Sequence, residues 1–298
     1  MKLSDFDYNL PKESIAQYPL AERSSARLMV LNRSTGSILH TQFDRVAGYI
    51  GADDALILND TRVFKARITG SKMTGGKVKI LLIRDVGEGL WEAMVSHARR
   101  FHEGMLISLG GKIHATVKEM RPEGKVILEF NDDVMKISEE FGKVPLPPYI
   151  KREAVKKDIS DYQTVFAKST GSIAAPTAGL HFTSRLLDEI RGKGTTVSEI
   201  TLHIGPGTFK PIKNEEIEKH HMDSELFEIP EPVLAAVGCA KKVFAVGTSV
   251  CRALETHART GVKSDWSDLF IYPPFRFRLV NGLITNFHLP RSTPLLLV

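Results

Sequence analysis

Two cysteines, Cys239 and Cys251, are all that 298 residues contain. They form no C-x-x-C pair and no clustered framework, which argues against a disulfide scaffold or a structural zinc and fits a reducing compartment. No run approaches the roughly 18 apolar residues of a membrane span. Residues 1–7 are polar and acidic, where a secretory signal needs a basic start and an apolar run. The expected location is the cytoplasm, with no membrane partner. Proline is scarce at 15 residues, and no low-complexity tract is present, so neither fibrous nor disordered architecture is indicated. A polar end is missing too: Pro294-Leu295-Leu296-Leu297-Val298 stops inside an apolar run, as an incomplete record of a longer chain would.

What is present is ordinary for a globular protein: 42% hydrophobic and 25% charged residues, long enough for one large domain or two modest ones. A net charge of +5 suits a polyanionic partner, although many basic proteins bind no nucleic acid.

Residues 28–31 and 38–43 read as a hairpin around Arg33-Ser34-Thr35-Gly36, followed by a short apolar strand at 55–58. From 66 to 130 the texture changes to short β-branched runs at 78–83, 90–95, 105–109, 112–117 and 126–130, separated by glycine-bearing breaks. Such a series closes on itself as a small barrel. Val144-Pro145-Leu146-Pro147-Pro148-Tyr149 reads as an extended linker. Beyond it, Thr183 caps a helix ending at Gly192 or Gly194, 197–204 is strand-like, and a helix over 232–242 precedes a strand at 243–246. That strand runs into a helix over 249–257. Asn281-Gly282 predicts a hairpin between 277–280 and 283–287. The expected fold class is α/β: a discontinuous main domain of residues 1–62 plus 151–298, interrupted by an inserted β-barrel at 63–150.

Chemically capable residues concentrate at predicted element ends, where loops carry function more often than core. Asp60 and Arg62 can hold an amine and a carboxylate, or form a local ion pair. His181 precedes a helix amino terminus, with Gly179 permitting close backbone approach; a structural histidine is the bland reading. Gly205-Pro206-Gly207 is a turn before it is a nucleotide loop, lacking the following G-x-x-G helix start. His220 and His221 point to opposite faces of an extended chain, so they suit proton transfer with Glu225 nearby better than shared metal ligation, or else form a solvated loop. Arg252 and Glu255, three apart on one helix, share a face as a surface pair or a substrate clamp. The basic stretch His97-Ala98-Arg99-Arg100-Phe101-His102 offers phosphate contact and stacking, or a solvated loop.

Tyr8-Asn9-Leu10-Pro11, Ile15-Ala16-Gln17-Tyr18-Pro19-Leu20, Leu58-Asn59-Asp60-Thr61-Arg62-Val63, Tyr162-Gln163-Thr164-Val165, the strings 175–183, 201–209 and 220–225, Ala245-Val246-Gly247-Thr248 and the segment 283–293 together resemble the S-adenosylmethionine:tRNA ribosyltransferase-isomerase family of queuosine biosynthesis. The resemblance spans nearly the whole chain in order, and the 175–183 string is its most specific part. Two features depart from the family pattern: the stop at Val298, short of the family's usual length, and a short connection at Lys241-Lys242. The resemblance implies an α/β domain carrying an inserted β-barrel. It also implies a reaction in which the ribosyl group of S-adenosylmethionine moves onto 7-aminomethyl-7-deazaguanine at the tRNA wobble position and becomes an epoxycyclopentenediol as adenine and methionine leave. S-adenosylmethionine is then a consumed substrate, with no cofactor or metal expected. The partner is the tRNA anticodon arm, and a monomer is expected.

Such chemistry needs a base for the acidic C5′ hydrogen beside the sulfonium and a proton for departing adenine. The proton-transfer candidates are His181, His203, His220, His221 and His288. The substrate-binding candidates are Asn59, Asp60, Arg62, Thr177, Gly179, Gly207, Thr208, Glu225, Arg252, Glu255 and Asn286. Two other classes compete. A noncatalytic RNA-binding protein would hold tRNA without consuming S-adenosylmethionine. A doubly wound methyltransferase would need a fuller glycine-rich loop than Val246-Gly247-Thr248.

Overall fold

The computed structural model describes residues 1–298, the side chain of Phe209 apart. An exposed hairpin of β1 (Arg27–Leu31) and β2 (Ile38–Gln42) leads to β3 (Ala55–Asn59), buried along its whole length. A short β4 (Thr61–Val63) follows. Next come the strands of the barrel: β5 (Arg67–Lys72), β6 (Lys77–Gly87), β7 (Leu90–Val95), β8 (Leu106–Gly110), β9 (Ile113–Met120) and β10 (Lys125–Phe130). They run antiparallel in the order β5-β6-β7-β10-β9-β8, and β8 pairs back onto β5 to close the ring.

The alternation of each strand puts Ile68, Val78, Ile80, Leu82, Ala93, Ile107, Ala115, Val117, Val126 and Leu128 inside one core. The sixth strand, β5, is missing from the sequence reading because Arg67, Gly70 and Lys72 dilute its apolar pattern. Gly70 itself explains the closure, since a Cβ there would stand 2.7 Å from the Ser108 carbonyl oxygen of β8.

Helix α1 (Val134–Phe141), capped by the Asp133 carboxylate accepting from the Lys136 amide at 2.8 Å, precedes a two-residue β11 (Gly142–Lys143) added to β5. The proline-rich segment beyond is extended as expected but is no exposed linker. Val144 and Leu146 are buried against Val63, Tyr162 and Ala175. A short α2 (Asp158–Asp161) and β12 (Ser169–Ser172), parallel to β4, lead to α3 (Ser184–Gly192), whose amino end is capped by Thr183 Oγ1 at 3.2 Å from the Leu186 amide.

The remaining elements build the second sheet: β13 (Thr196–Leu202), β14 (Glu225–Glu228), α4 (Glu231–Cys239), β15 (Val243–Val246), α5 (Thr248–Thr260), β16 (Ser264–Ser267), β17 (Gly282–Ile284) and α6 (Thr293–Leu297). Strand order is β16-β14-β13-β3-β15-β17, with β13, β3, β15 and β17 mutually parallel and β14 and β16 antiparallel at one side. The unbroken apolar texture of β3 follows from burial on both faces. Ala55 and Ile57 pack with α4 and α5 residues, and Leu56 and Leu58 pack with Phe43, Val46 and the α3 residues Leu186, Leu187 and Ile190.

The expected Asn281-Gly282 hairpin does not form. The Glu255 carboxylate accepts the backbone amides of Arg278, Leu279 and Val280 at 2.9–3.0 Å, so that segment has no donors left for a ladder. Asn281 Oδ1 accepts the Val243 amide at 2.8 Å, fixing β17 parallel to β15. Gly282 serves close approach, since a Cβ there would lie 2.4 Å from the Phe244 ring. Phe101, expected in a stacking loop, is buried in the barrel core with the Lys72 ammonium 4.3 Å from its ring centre.

Candidate functional site

Four parallel strands, β13, β3, β15 and β17, deliver their carboxyl ends to one edge of the sheet, the position where open α/β sheets bind ligands. The sequence at those ends is polar: Asn59-Asp60-Thr61 after β3, His203 after β13, Gly247-Thr248-Ser249 after β15, and Thr285-Asn286 after β17. A cavity of about 560 Å³ opens there, lined by Ala174–Ala178, Thr208, Glu225, Thr248, Ser249, Arg252 and the 285–294 loop, with Tyr8 and Tyr149 also in its lining.

Arg252 on α5 and Glu225 at the start of β14 form an ion pair, and both are over nine-tenths buried. Glu225 Oε1 also accepts the Gly205 amide at 2.8 Å and the Thr208 hydroxyl at 3.2 Å, so the 205–208 turn is fastened to the carboxylate that holds the arginine. Burial pulls the Arg252 pKa down to about 10, which still leaves a cation at pH 7. Its Nε–H has no partner within the protein, and neither has the buried Oδ1 of Asn286. A buried donor and a buried acceptor left open on one cavity are what a polar ligand would satisfy.

The histidines separate by position. Among the described residues, His288 is the one of the five that lines the cavity. Its Nε2 lies 2.9 Å from Thr285 Oγ1, its carbonyl accepts from the Tyr8 hydroxyl, and burial lowers its pKa to about 4. His181 sits behind, 2.9 Å from Asn286 Nδ2 and tilted against Phe43 at 5.2 Å. Burial, its largest influence, keeps its pKa low, and its ring also bonds to the Arg23 backbone. A neutral ring that donates to that backbone oxygen must accept at Nε2, which fixes the Asn286 amide with Oδ1 open.

His203 is tied to Thr61 Oγ1 at 2.8 Å, and a Cβ on Gly171 would collide with its ring at 2.6 Å. Its pKa too is lowered by burial. His220 stacks edgewise on Phe270 at 5.1 Å, a residue of the cavity wall, and its pKa is lowered mainly by burial, while His221 is exposed.

A scan of family descriptions matches residues 3–298 to one, "Queuosine biosynthesis protein". The chain belongs to that family. It is 46% identical over 303 residues to the S-adenosylmethionine:tRNA ribosyltransferase-isomerase of Sulfurihydrogenibium sp. (strain YO3AOP1), covering 100% of this chain and 90% of the relative. The enzyme of the same name from Halothermothrix orenii is 46% identical over 310 residues with the same coverage. The crystal structure of the S-adenosylmethionine tRNA ribosyltransferase from Thermotoga maritima superposes with a TM-score of 0.51 at 32% identity, covering 98% of this chain and 88% of that one.

Within this family member, several residues expected to bind substrate serve the protein itself. Asn59 is 1% exposed and spends its amide on Leu202, Thr61 and Ser249. Asp60 accepts the Thr201 hydroxyl at 2.7 Å and makes no pair with Arg62, which lines a separate cleft. Gly179 makes room for Phe166 and Thr164, and Gly207 for Asp223, rather than for a ligand. Glu255 is fully buried, pairs with Arg259 at 2.6 Å and braces the 278–280 backbone, so it forms no clamp with Arg252. Thr177, Thr208, Glu225, Arg252 and Asn286 do line the cavity. Ser249, Tyr8, Tyr149 and Met222 line it as well and were not among the site candidates from sequence, although Tyr8 and Met222 lie within strings that carry the family resemblance.

Proposed function

We propose that the chain is a S-adenosylmethionine:tRNA ribosyltransferase-isomerase that uses the cavity at the carboxyl edge of the second sheet as its active site. The queuosine family membership and full-length relatives of that name support the activity. The observation that carries the site is the pair of buried, unsatisfied groups, Arg252 Nε and Asn286 Oδ1, on a cavity large enough for a nucleoside. S-adenosylmethionine is a consumed substrate, and the ribosyl acceptor is the aminomethyl-deazaguanine of a tRNA anticodon arm. The working form is a cytoplasmic monomer, with the division between main and inserted domains at 62/63 and 150/151.

In this reading Arg252, held by Glu225, receives the carboxylate of the methionine moiety, since a buried guanidinium repels the sulfonium and attracts the anion at the other end of the same ligand. Asn286 Oδ1 accepts from a ligand N–H or O–H. His288, neutral at pH 7 because of its burial, takes or returns a proton at the cavity wall. His181 acts through Asn286 as a positioning group. His203, His220 and His221 stand off the cavity lining, with His220 packed against its wall residue Phe270.

The test is incubation with S-adenosylmethionine and an anticodon stem-loop bearing aminomethyl-deazaguanine. Free adenine together with the mass of the added ring on the RNA is the expected result. Tight stem-loop binding with neither product would favour a noncatalytic RNA-binding protein.

A further inference from the structure

A second concavity lies apart from the cavity above, lined by Arg23, Arg62, Lys156, Ile159, Ser160, Gln163, Thr164 and Val165. Three cations face it and no carboxylate lines it. Arg23 is positioned by donating to the Gln163 carbonyl at 2.6 Å and the Ser160 carbonyl at 2.8 Å, contacts that leave its charge unneutralised. Gln163 is in turn clamped to the Val63 backbone through both ends of its amide, at 3.1 and 2.6 Å. Arg62 and Lys156 are exposed residues, and neither forms an ion pair among the described residues. Thr164 is 6% exposed, yet its hydroxyl has no hydrogen-bond partner. An unsatisfied buried hydroxyl beside three cations without ion-pair partners is what an anion would complete. Beside the charges, Ile159 and Val165 are 45% and 46% exposed, apolar surface suited to the sugar or base between phosphates.

The position of the cleft says which anion. Arg23 also bonds through its backbone to the His181 ring, and His181 bonds Asn286 of the cavity, so His181 links a residue of the cleft to one of the cavity. Arg62 follows Thr61 directly, and Thr61 bonds His203.

We infer that this cleft grips the phosphodiester backbone of the RNA strand whose modified base enters the cavity, with Arg23, Arg62 and Lys156 on phosphate oxygens and the Thr164 hydroxyl donating to one of them. A base that reacts in a closed cavity must leave its stack, and fixed phosphates beside it hold the strand while it does so. The inference rests on the proposed tRNA substrate and adds where the strand lies.

The experiment reads binding without turnover: an anticodon stem-loop is titrated into wild type, Lys156→Glu, Arg62→Glu and Thr164→Val across a salt series, with S-adenosylmethionine binding measured alongside. Each charge reversal is expected to weaken RNA binding at least tenfold and to flatten the salt dependence by about 0.7–0.9 in log–log slope per lost phosphate. Thr164→Val, which keeps the shape of the side chain, is expected to weaken RNA binding severalfold with S-adenosylmethionine affinity unchanged. Reversed variants that keep wild-type RNA affinity and salt slope would overturn the inference, as would a wild type that binds no stem-loop. RNA binding through the cleft with no adenine release would refute the proposed activity alone, so the two failures are distinguishable.

Discussion

Two carboxylates, Glu225 and Glu255, show how differently one buried charge can be used. Both are nearly inaccessible and both pair with an arginine of α5. Glu255 is saturated from within: three backbone amides and Arg259 occupy it, and those bonds with Arg259 hold its pKa low despite burial, the largest opposing influence. Glu225 fastens a turn and an arginine that lines the cavity and whose own Nε–H has no partner in the protein. A satisfied buried charge is architecture, and an incompletely satisfied one is where a ligand completes the structure.

The largest effect that breaks this contrast is expected at Arg252. Arg252→Met leaves Glu225 buried and unpaired and should cost about 3–5 kcal/mol in denaturant unfolding, together with loss of S-adenosylmethionine binding. Glu255→Gln weakens bonds to backbone amides and should cost about 1–3 kcal/mol while leaving S-adenosylmethionine affinity as it was, measured by unfolding and by equilibrium dialysis. Loss of ligand binding in both variants at temperatures where both are folded would erase the distinction.

A third prediction uses pH. The His288 pKa is about 4 when folded and 6.5 ordinarily, so below 6.5 the unfolded chain binds a proton that the folded chain refuses. Stability therefore falls as pH drops from 6.5 toward about 4, and His288→Gln should reduce that fall relative to wild type in denaturation midpoints at pH 7 and pH 5. Equal falls in both proteins would contradict the burial assigned to His288. The smallest effect belongs to the barrel surface. Lys118 and Glu129 pair at 2.8 Å but are both nearly half exposed, so Lys118→Ala should change stability by less than about 1 kcal/mol with adenine release unaltered.

The order of elements was legible because β3, β15 and the barrel strands carry patterns set by burial on one face or two. The strand β5 was not, because closing the barrel required Gly70 and tolerated charges that dilute the pattern. The Asn281-Gly282 hairpin failed for a nonlocal reason: Glu255, on α5, takes the amides of residues 278–280 that the hairpin needed. At the site, the polar strings were legible as strings, and their members divided only in three dimensions. Asn59 turned inward to Leu202 and Ser249, Gly179 to Phe166 and Thr164, and Glu255 to Arg259 and the 278–280 backbone, whereas Thr208, Arg252 and Asn286 reached the cavity. Neighbours in sequence such as Thr61 and Arg62 face opposite ways, one toward His203 and the other into the cationic cleft.

The most direct test of the central claim is equilibrium binding of S-adenosylmethionine, without RNA, to wild type, Asn286→Ala and Lys156→Glu. If the cavity is the active site, Asn286→Ala should bind at least tenfold more weakly than wild type and Lys156→Glu should bind as wild type does. Equal binding by wild type and Asn286→Ala, or a loss confined to Lys156→Glu, would contradict the assignment of S-adenosylmethionine to the cavity at the sheet edge.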